Sequence, residues 1–142
     1  MTADPPYNIA YRLIGTREVP GRGANPFIAW CLSTAGGQGD DEIPWCSAFV
    51  NGIAILAGVQ RSNSLAARSW LTMGKAVESI NDARVLFDIV VLKRGTQPWQ
   101  GHVGFYHAHD STTVAVLGGN QSDTVCVQRF PLGDVLAVRR LG

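Results

Sequence analysis

The sequence has almost no net charge: 12 Lys and Arg stand against 11 Asp and Glu, leaving +1 at pH 7 with the histidines neutral. No long basic run accompanies that balance, so neither nucleic acid nor an anionic membrane surface is expected as a partner. Nor does any stretch approach the roughly 18 consecutive apolar residues of a membrane span. The opening residues, Met1 to Tyr7, have no basic n-region and no apolar h-region. Synthesis in the bacterial cytoplasm without a secretory signal is therefore expected, with any export by another route. Cysteine is sparse and odd in number: Cys31, Cys46 and Cys126 contain no CxxC spacing, which argues against a complete disulfide framework and against a structural zinc site. Repeats, low-complexity tracts and sharp composition breaks are missing as well. What remains is a chain of 142 residues, 46% hydrophobic and 16% charged. That is enough to bury one core and too little for two domains and a linker, so a single monomeric domain over 1–142 is expected.

Helical signals come first. Tyr7 to Leu13 reads as a short helix ended by Gly15, and Asn25 followed by Pro26 offers an N-cap and a first-turn proline for a helix over Phe27 to Cys31. Ser33 to Pro44, with several glycines and the acidic run Asp40-Asp41-Glu42, reads as a long surface loop. From Cys46 to Ala57 apolar residues recur at helical spacing, and Gly58 stands where a left-handed residue would close the helix. Ser64 to Met73 reads as a further helix, capped by Ser64 and closed by Gly74. Beyond it the pattern becomes β-rich: Leu86 to Leu92, His102 to His109, Thr112 to Gly118, Thr124 to Phe130 and Val135 to Arg139 read as strands. Helices followed by antiparallel strands predict an α+β fold, with N-terminal helices packed on an antiparallel β-sheet.

The hairpin allows a sharper deduction. With a turn centred on Ser111, cross-strand partners have numbers summing to 222, which sets His102 opposite Asn120 and Gly104 opposite Gly118. The glycines leave a bare patch beside that pair, where a helix end can approach closely. A bulge at Gly118-Gly119 would shift this register by one residue.

Cys46 opens its helix, so the unsatisfied N–H groups and the helix dipole favour its thiolate, making it a candidate nucleophile. A nucleophilic thiol needs a base and a group that orients the base; His102 and Asn120 fill those roles as a Cys-His-Asn triad. The backbone N–H of Cys46, helped by the Gln121 side-chain amide, is the expected oxyanion donor. His107 and His109 fall on the other strand face and read as surface or core-edge residues. Cys31 and Cys126 read as buried small hydrophobes.

Three segments, Trp45-Cys46-Ser47-Ala48-Phe49-Val50-Asn51, Gly101-His102-Val103-Gly104-Phe105-Tyr106 and Leu117-Gly118-Gly119-Asn120-Gln121-Ser122-Asp123, resemble the CHAP and NlpC-like cysteine amidases and peptidases of peptidoglycan. In particular they resemble a small single-domain branch from phage and prophage genomes. The resemblance runs from about Ala10 to Arg139 and implies a papain-like core with catalytic Cys46, His102 and Asn120. It departs from the CHAP pattern at Gly118, where an acidic residue often precedes the asparagine by two positions.

That resemblance implies hydrolysis of an amide in the peptide part of the bacterial cell wall, at the muramoyl–L-alanine bond or within or between stem peptides, with no cofactor and no metal. The stem peptide is the implied partner. Asp41 is placed to hold an ammonium group of that peptide and Trp45 to line its groove, with Trp70 and Trp99 as further groove or core aromatics. The acidic loop at Gly39 to Glu42 lacks the EF-hand spacing and reads as solvated. An endolysin released through a holin or a phage tail, and an antibacterial amidase delivered by a secretion apparatus and countered by an immunity protein, are both open, with action in the periplasm or cell wall. So is a non-catalytic wall-binding or virion module with a buried thiol.

Overall fold

The computed structural model describes residues 4–18, 25–36 and 45–142. Three α-helices precede a mixed tail of strands and short 3₁₀ turns: α1 (Pro6–Tyr11), α2 (Pro26–Thr34) and α3 (Cys46–Ala57), then β1 (Lys75–Val77), β2 (Asp88–Lys93), β3 (Gly101–His109), β4 (Thr113–Gln121), β5 (Thr124–Pro131) and β6 (Val135–Arg140). The strands form one sheet in the order β1-β6-β2-β3-β4-β5, and every pairing is antiparallel.

Local chemistry accounts for most boundaries. The Asn25 side chain accepts hydrogen bonds from the backbone N–H of Phe27 and Ile28, and Pro26 stands in the first turn of α2. Helix α3 ends at Gly58, whose φ of 72° is left-handed and nearly free of cost without a Cβ. The segment expected as a helix from Ser64 is instead a 3₁₀ turn over Ala67–Thr72. Ser64 Oγ accepts from the Ala66 amide, and Arg68 and Trp70 are committed to tertiary partners that hold the segment in this tighter form. Strand β1, which the sequence pattern does not reveal, pairs with β6 from Lys75↔Arg140 to Val77↔Val138.

The helices cover one face of the sheet. Ile28, Leu32, Phe49, Val50 and Ile53 from α2 and α3 are buried with Ile89, Val91, Val103, Phe105, Leu117 and Val125 from the strands. A smaller cluster of Val90, Leu92, Tyr106, Val114 and Val116 fills the other face. Strand β2 is therefore buried on both sides, which is why Ile89-Val-Val-Leu92 is a continuous apolar run. At its start Asp88, 1% exposed, accepts two bonds from Arg140 at 2.7 and 2.8 Å and one from the Arg84 amide. Gly52 lets α2 and α3 pack tightly: a Cβ there would lie 2.6 Å from Cys31 Sγ.

Candidate active site

The β3–β4 ladder follows the expected sum over Phe105↔Leu117 and Tyr106↔Val116. It is broken at both ends. A shift between Tyr106 and Ala108 lies toward the turn, and a second irregularity between Gly118 and Gln121 displaces β4 against β5. Within the second, Asn120 has a φ of 57°, the left-handed conformation that asparagine tolerates better than most residues. The bulge moves the partner of His102 along by one. Gln121 Oε1, not Asn120, lies 2.9 Å from His102 Nε2. Asn120 lines the cavity beside the imidazole instead.

The protonation pattern follows from Gln121. Its Nε2 donates to the carbonyl oxygens of Val116 (3.2 Å) and Cys126 (2.7 Å), which fixes the amide in one orientation. Oε1 must then accept, so His102 Nε2 carries the proton and Nδ1 holds the lone pair. Nδ1 is buried with no hydrogen-bond partner. Both N–H groups of Gln121 are consumed by the backbone, so the side chain expected to donate to an oxyanion holds the histidine instead.

Cys46 lies where the two strands part. Beyond Phe105↔Leu117 the ladder does not continue, and the backbone amides of Val103, Ser47 and Cys46 lie near enough to Cys46 Sγ to favour its thiolate. The thiol thus sits one residue along the backbone from His102, although no hydrogen bond joins it to the imidazole. The first N–H groups of α3 have no helical partner, and the Trp45 side chain supplies no cap. Burial pushes the Cys46 thiol up, against those amides and the nearby charge of Arg94, which act to lower it. Burial also brings His102 down to about 4, opposed by its bond to Gln121 and reinforced by Arg94. At neutral pH both groups are uncharged.

The motif around the cysteine is largely scaffolding. Ser47 Oγ donates to the Ser64 carbonyl at 2.6 Å and accepts from Trp70 Nε1 at 2.9 Å. Asn51 donates to the Ser47 and Ser64 carbonyls and accepts from the Asn63 amide. These bonds lock the first turns of α3 to the 62–70 segment. Trp45, expected along a groove, is fully buried; its indole N–H donates to Glu18 and its ring packs on Gly119. The helix end thus reaches the sheet at Gly119, while the expected patch of Gly104 and Gly118 is crowded by Val116, Gln121 and His102. Trp70 is likewise buried and Trp99 is 71% exposed.

The cavity beside the imidazole measures about 390 Å³. Its walls are Leu92 to Gly95, His102, Asn120 to Ser122, Gln128, Phe130 and Asp134. His102 leans on Phe130 with ring centroids 5.1 Å apart. Asp41 and the acidic loop around it lie outside the described residues. His107 Nδ1 meets the Tyr7 hydroxyl, and His109 bridges Tyr106 and Asn81, so neither reaches His102. Cys31 is buried against α3 and its thiol is pushed up to about 12, while Cys126 is partly exposed beside Gln121. Among the described residues no group of three or more His, Cys, Asp or Glu could hold a metal ion, and no helix is long and apolar enough to cross a membrane.

No family model matches this chain, and no curated protein matches it. Among solved structures it is similar to NlpC1 from Trichomonas vaginalis, with a TM-score of 0.54 at 14% sequence identity over 96% of this chain. The chain spans 42% of that protein's length, and at this identity the likeness is one of fold.

Proposed function

We propose that this chain is a cysteine amidase or endopeptidase that hydrolyses an amide bond in the peptide part of bacterial peptidoglycan. The observation that carries the reading is the end of β3. A helix-opening thiol lies on the amide next to a buried histidine whose proton is held on Nε2 by an amide that cannot flip. The motif resemblance and the fold shared with NlpC1 point to the same reaction class.

The chemistry starts from neutral partners. As Cys46 Sγ attacks the carbonyl carbon, His102 Nδ1 takes the thiol proton and the carbonyl electron pair moves onto oxygen. The amides at the α3 N-terminus, which have no helical partner, stabilise that oxyanion as the sulfur forms its new bond, a task the buried site favours. Collapse breaks the C–N bond, and the imidazolium returns its proton to the leaving amine. Water then attacks the thioester with Nδ1 as base, releasing a carboxylic acid and the thiol. Gln121 accepts from Nε2–H throughout and strengthens its hold when the ring is positive. Gln121 is thus the positioning residue, and Asn120 contacts substrate from the cavity wall. A lysin that reaches the wall through a holin, a phage tail or a secretion apparatus would use this chemistry without a cofactor.

The test is incubation of wild type and Cys46→Ala with intact peptidoglycan, with soluble fragments read by mass spectrometry. Fragments from wild type alone are expected, and their new termini name the bond. No fragments from several wall chemotypes would overturn the hydrolase reading. The missing Cys46–His102 hydrogen bond favours one other reading, a wall-binding module; sedimentation of both proteins with peptidoglycan in the absence of fragments would establish it.

A further inference from the structure

The cavity beside His102 carries one cation that the fold does not use. Three charged residues line it: Lys93, Arg94 and Asp134. Lys93 approaches Asp134 at 4.0 Å. Arg94 is exposed, and among the described residues it makes no hydrogen bond or ion pair. It stands in the connection between β2 and β3, immediately after Lys93 and Leu92, and Leu92 pairs directly with His102. Its guanidinium is close enough for its charge to act on both the Cys46 thiol and the His102 ring. The other polar groups on the cavity wall, Asn120, Ser122 and Gln128, are neutral. A guanidinium offers five donors in a planar fork that matches a carboxylate.

We infer that Arg94 is a specificity residue that binds a free carboxylate of the substrate and so selects acidic peptides at the Cys46 site. The inference rests on the proposed function and names the substrate class of that same site. A carboxylate held by Arg94 lies beside the cavity wall that carries His102 and Asn120, within reach of the same charge that acts on the Cys46 thiol, which is not itself part of that wall. The carboxamide form of the same peptide leaves the guanidinium without its partner and binds less well.

The test needs no wall substrate. Alkylation of Cys46 is followed by peptide mapping with iodoacetate, which is an anion, and with iodoacetamide, its neutral counterpart. Rates are normalised to free cysteine in the same buffer. In wild type the iodoacetate-to-iodoacetamide ratio is expected to exceed that of free cysteine. In Arg94→Gln it should fall about fivefold, the order set by one weakly screened charge, and 0.5 M salt, about a 4 Å screening length, should have the same effect on wild type. Arg94→Lys should retain most of the ratio. The same ratio in wild type and Arg94→Gln, with alkylation slowed in His102→Gln, would overturn the Arg94 assignment and leave the nucleophile intact. Alkylation of Cys46 at the same rate in wild type and His102→Gln would overturn the nucleophile reading, and the Arg94 assignment with it.

Discussion

Lowering the pH from 7 to 4 should destabilise this protein through one buried imidazole. His102 is 3% exposed, and its pKa is brought down from 6.5 to about 4. The folded state resists protonation while the unfolded chain accepts a proton near 6.5, so the unfolded state binds more protons as the pH falls. The neutral ring's contribution is fully present above pH 6.5 and is lost progressively as the pH drops to about 4. A tenfold change in proton affinity is worth about 1.4 kcal/mol, so the loss amounts to about 3 kcal/mol. Denaturant titrations at several pH values, followed by the fluorescence of buried Trp45 and Trp70, measure it. Carboxylates also titrate in acid; Asp110 is held down to about 2 by the amides of Thr112 and Thr113, below this window. The difference between wild type and His102→Gln removes such background. Wild type should lose about 3 kcal/mol more than the variant between pH 7 and pH 4. Parallel profiles would refute the claim that His102 is buried as a neutral base. The same protonation removes the general base, so the acid limb of kcat/KM should fall near pH 4 and not near 6.5.

Gln121→Leu should lower kcat/KM by about 100-fold, as loss of an orienting partner does, and ¹⁵N spectra of His102 should show the Nε2–H tautomer no longer dominant. An unchanged tautomer would reduce Gln121 to packing. Gly119→Ala places a methyl carbon 2.5 Å from the Trp45 ring and 2.9 Å from Phe49 Cβ, and should cost about 1–3 kcal/mol in denaturant unfolding. Asp88→Ala strips the partner from Arg140 and leaves the Arg84 amide without its acceptor. Because the Arg140 side chain is 30% exposed, the cost should be about 2–3 kcal/mol in the same assay, below that of a fully buried pair.

Where a single residue's chemistry decides, the sequence is readable. The Asn25-Pro26 cap and the span Cys46–Ala57 closed by Gly58 follow from side-chain hydrogen bonding, apolar period and a left-handed glycine. The hairpin sum holds at Phe105↔Leu117, but the helix end, through Trp45 and Phe49, meets Gly119 and not the expected patch of Gly104 and Gly118, which Val116, Gln121 and His102 crowd instead. What the pattern hides is cooperative. A bulge is an extra residue whose position depends on what packs behind it; here the Trp45 ring lies against Gly119 within the irregular stretch from Gly118 to Gln121, and Gln121 takes the place expected of Asn120. Trp45 itself looks like a groove residue because it adjoins the nucleophile, yet its burial depends on a glycine far along the chain. Arg94 carries no motif at all. Only its place between β2 and β3, beside a cavity, distinguishes it from other surface arginines.

The parts that hold Cys46 lie far downstream of it, and this orders events during synthesis. Helix α3 is 12 residues long with ten of them buried in the finished protein, and on emerging from the ribosome it has α1 and α2 beside it but none of the sheet that covers its other side. A helix of that length is marginal in water on its own. The amide that receives Sγ arrives with β3, the glycine that seats Trp45 and the amide that aims His102 arrive at the end of β4, and one carbonyl that fixes that amide arrives only with β5. A nascent or truncated chain that stops before β4 therefore carries an ordinary cysteine. The surroundings of Cys46 and His102 are complete only once nearly all of the sheet has been made.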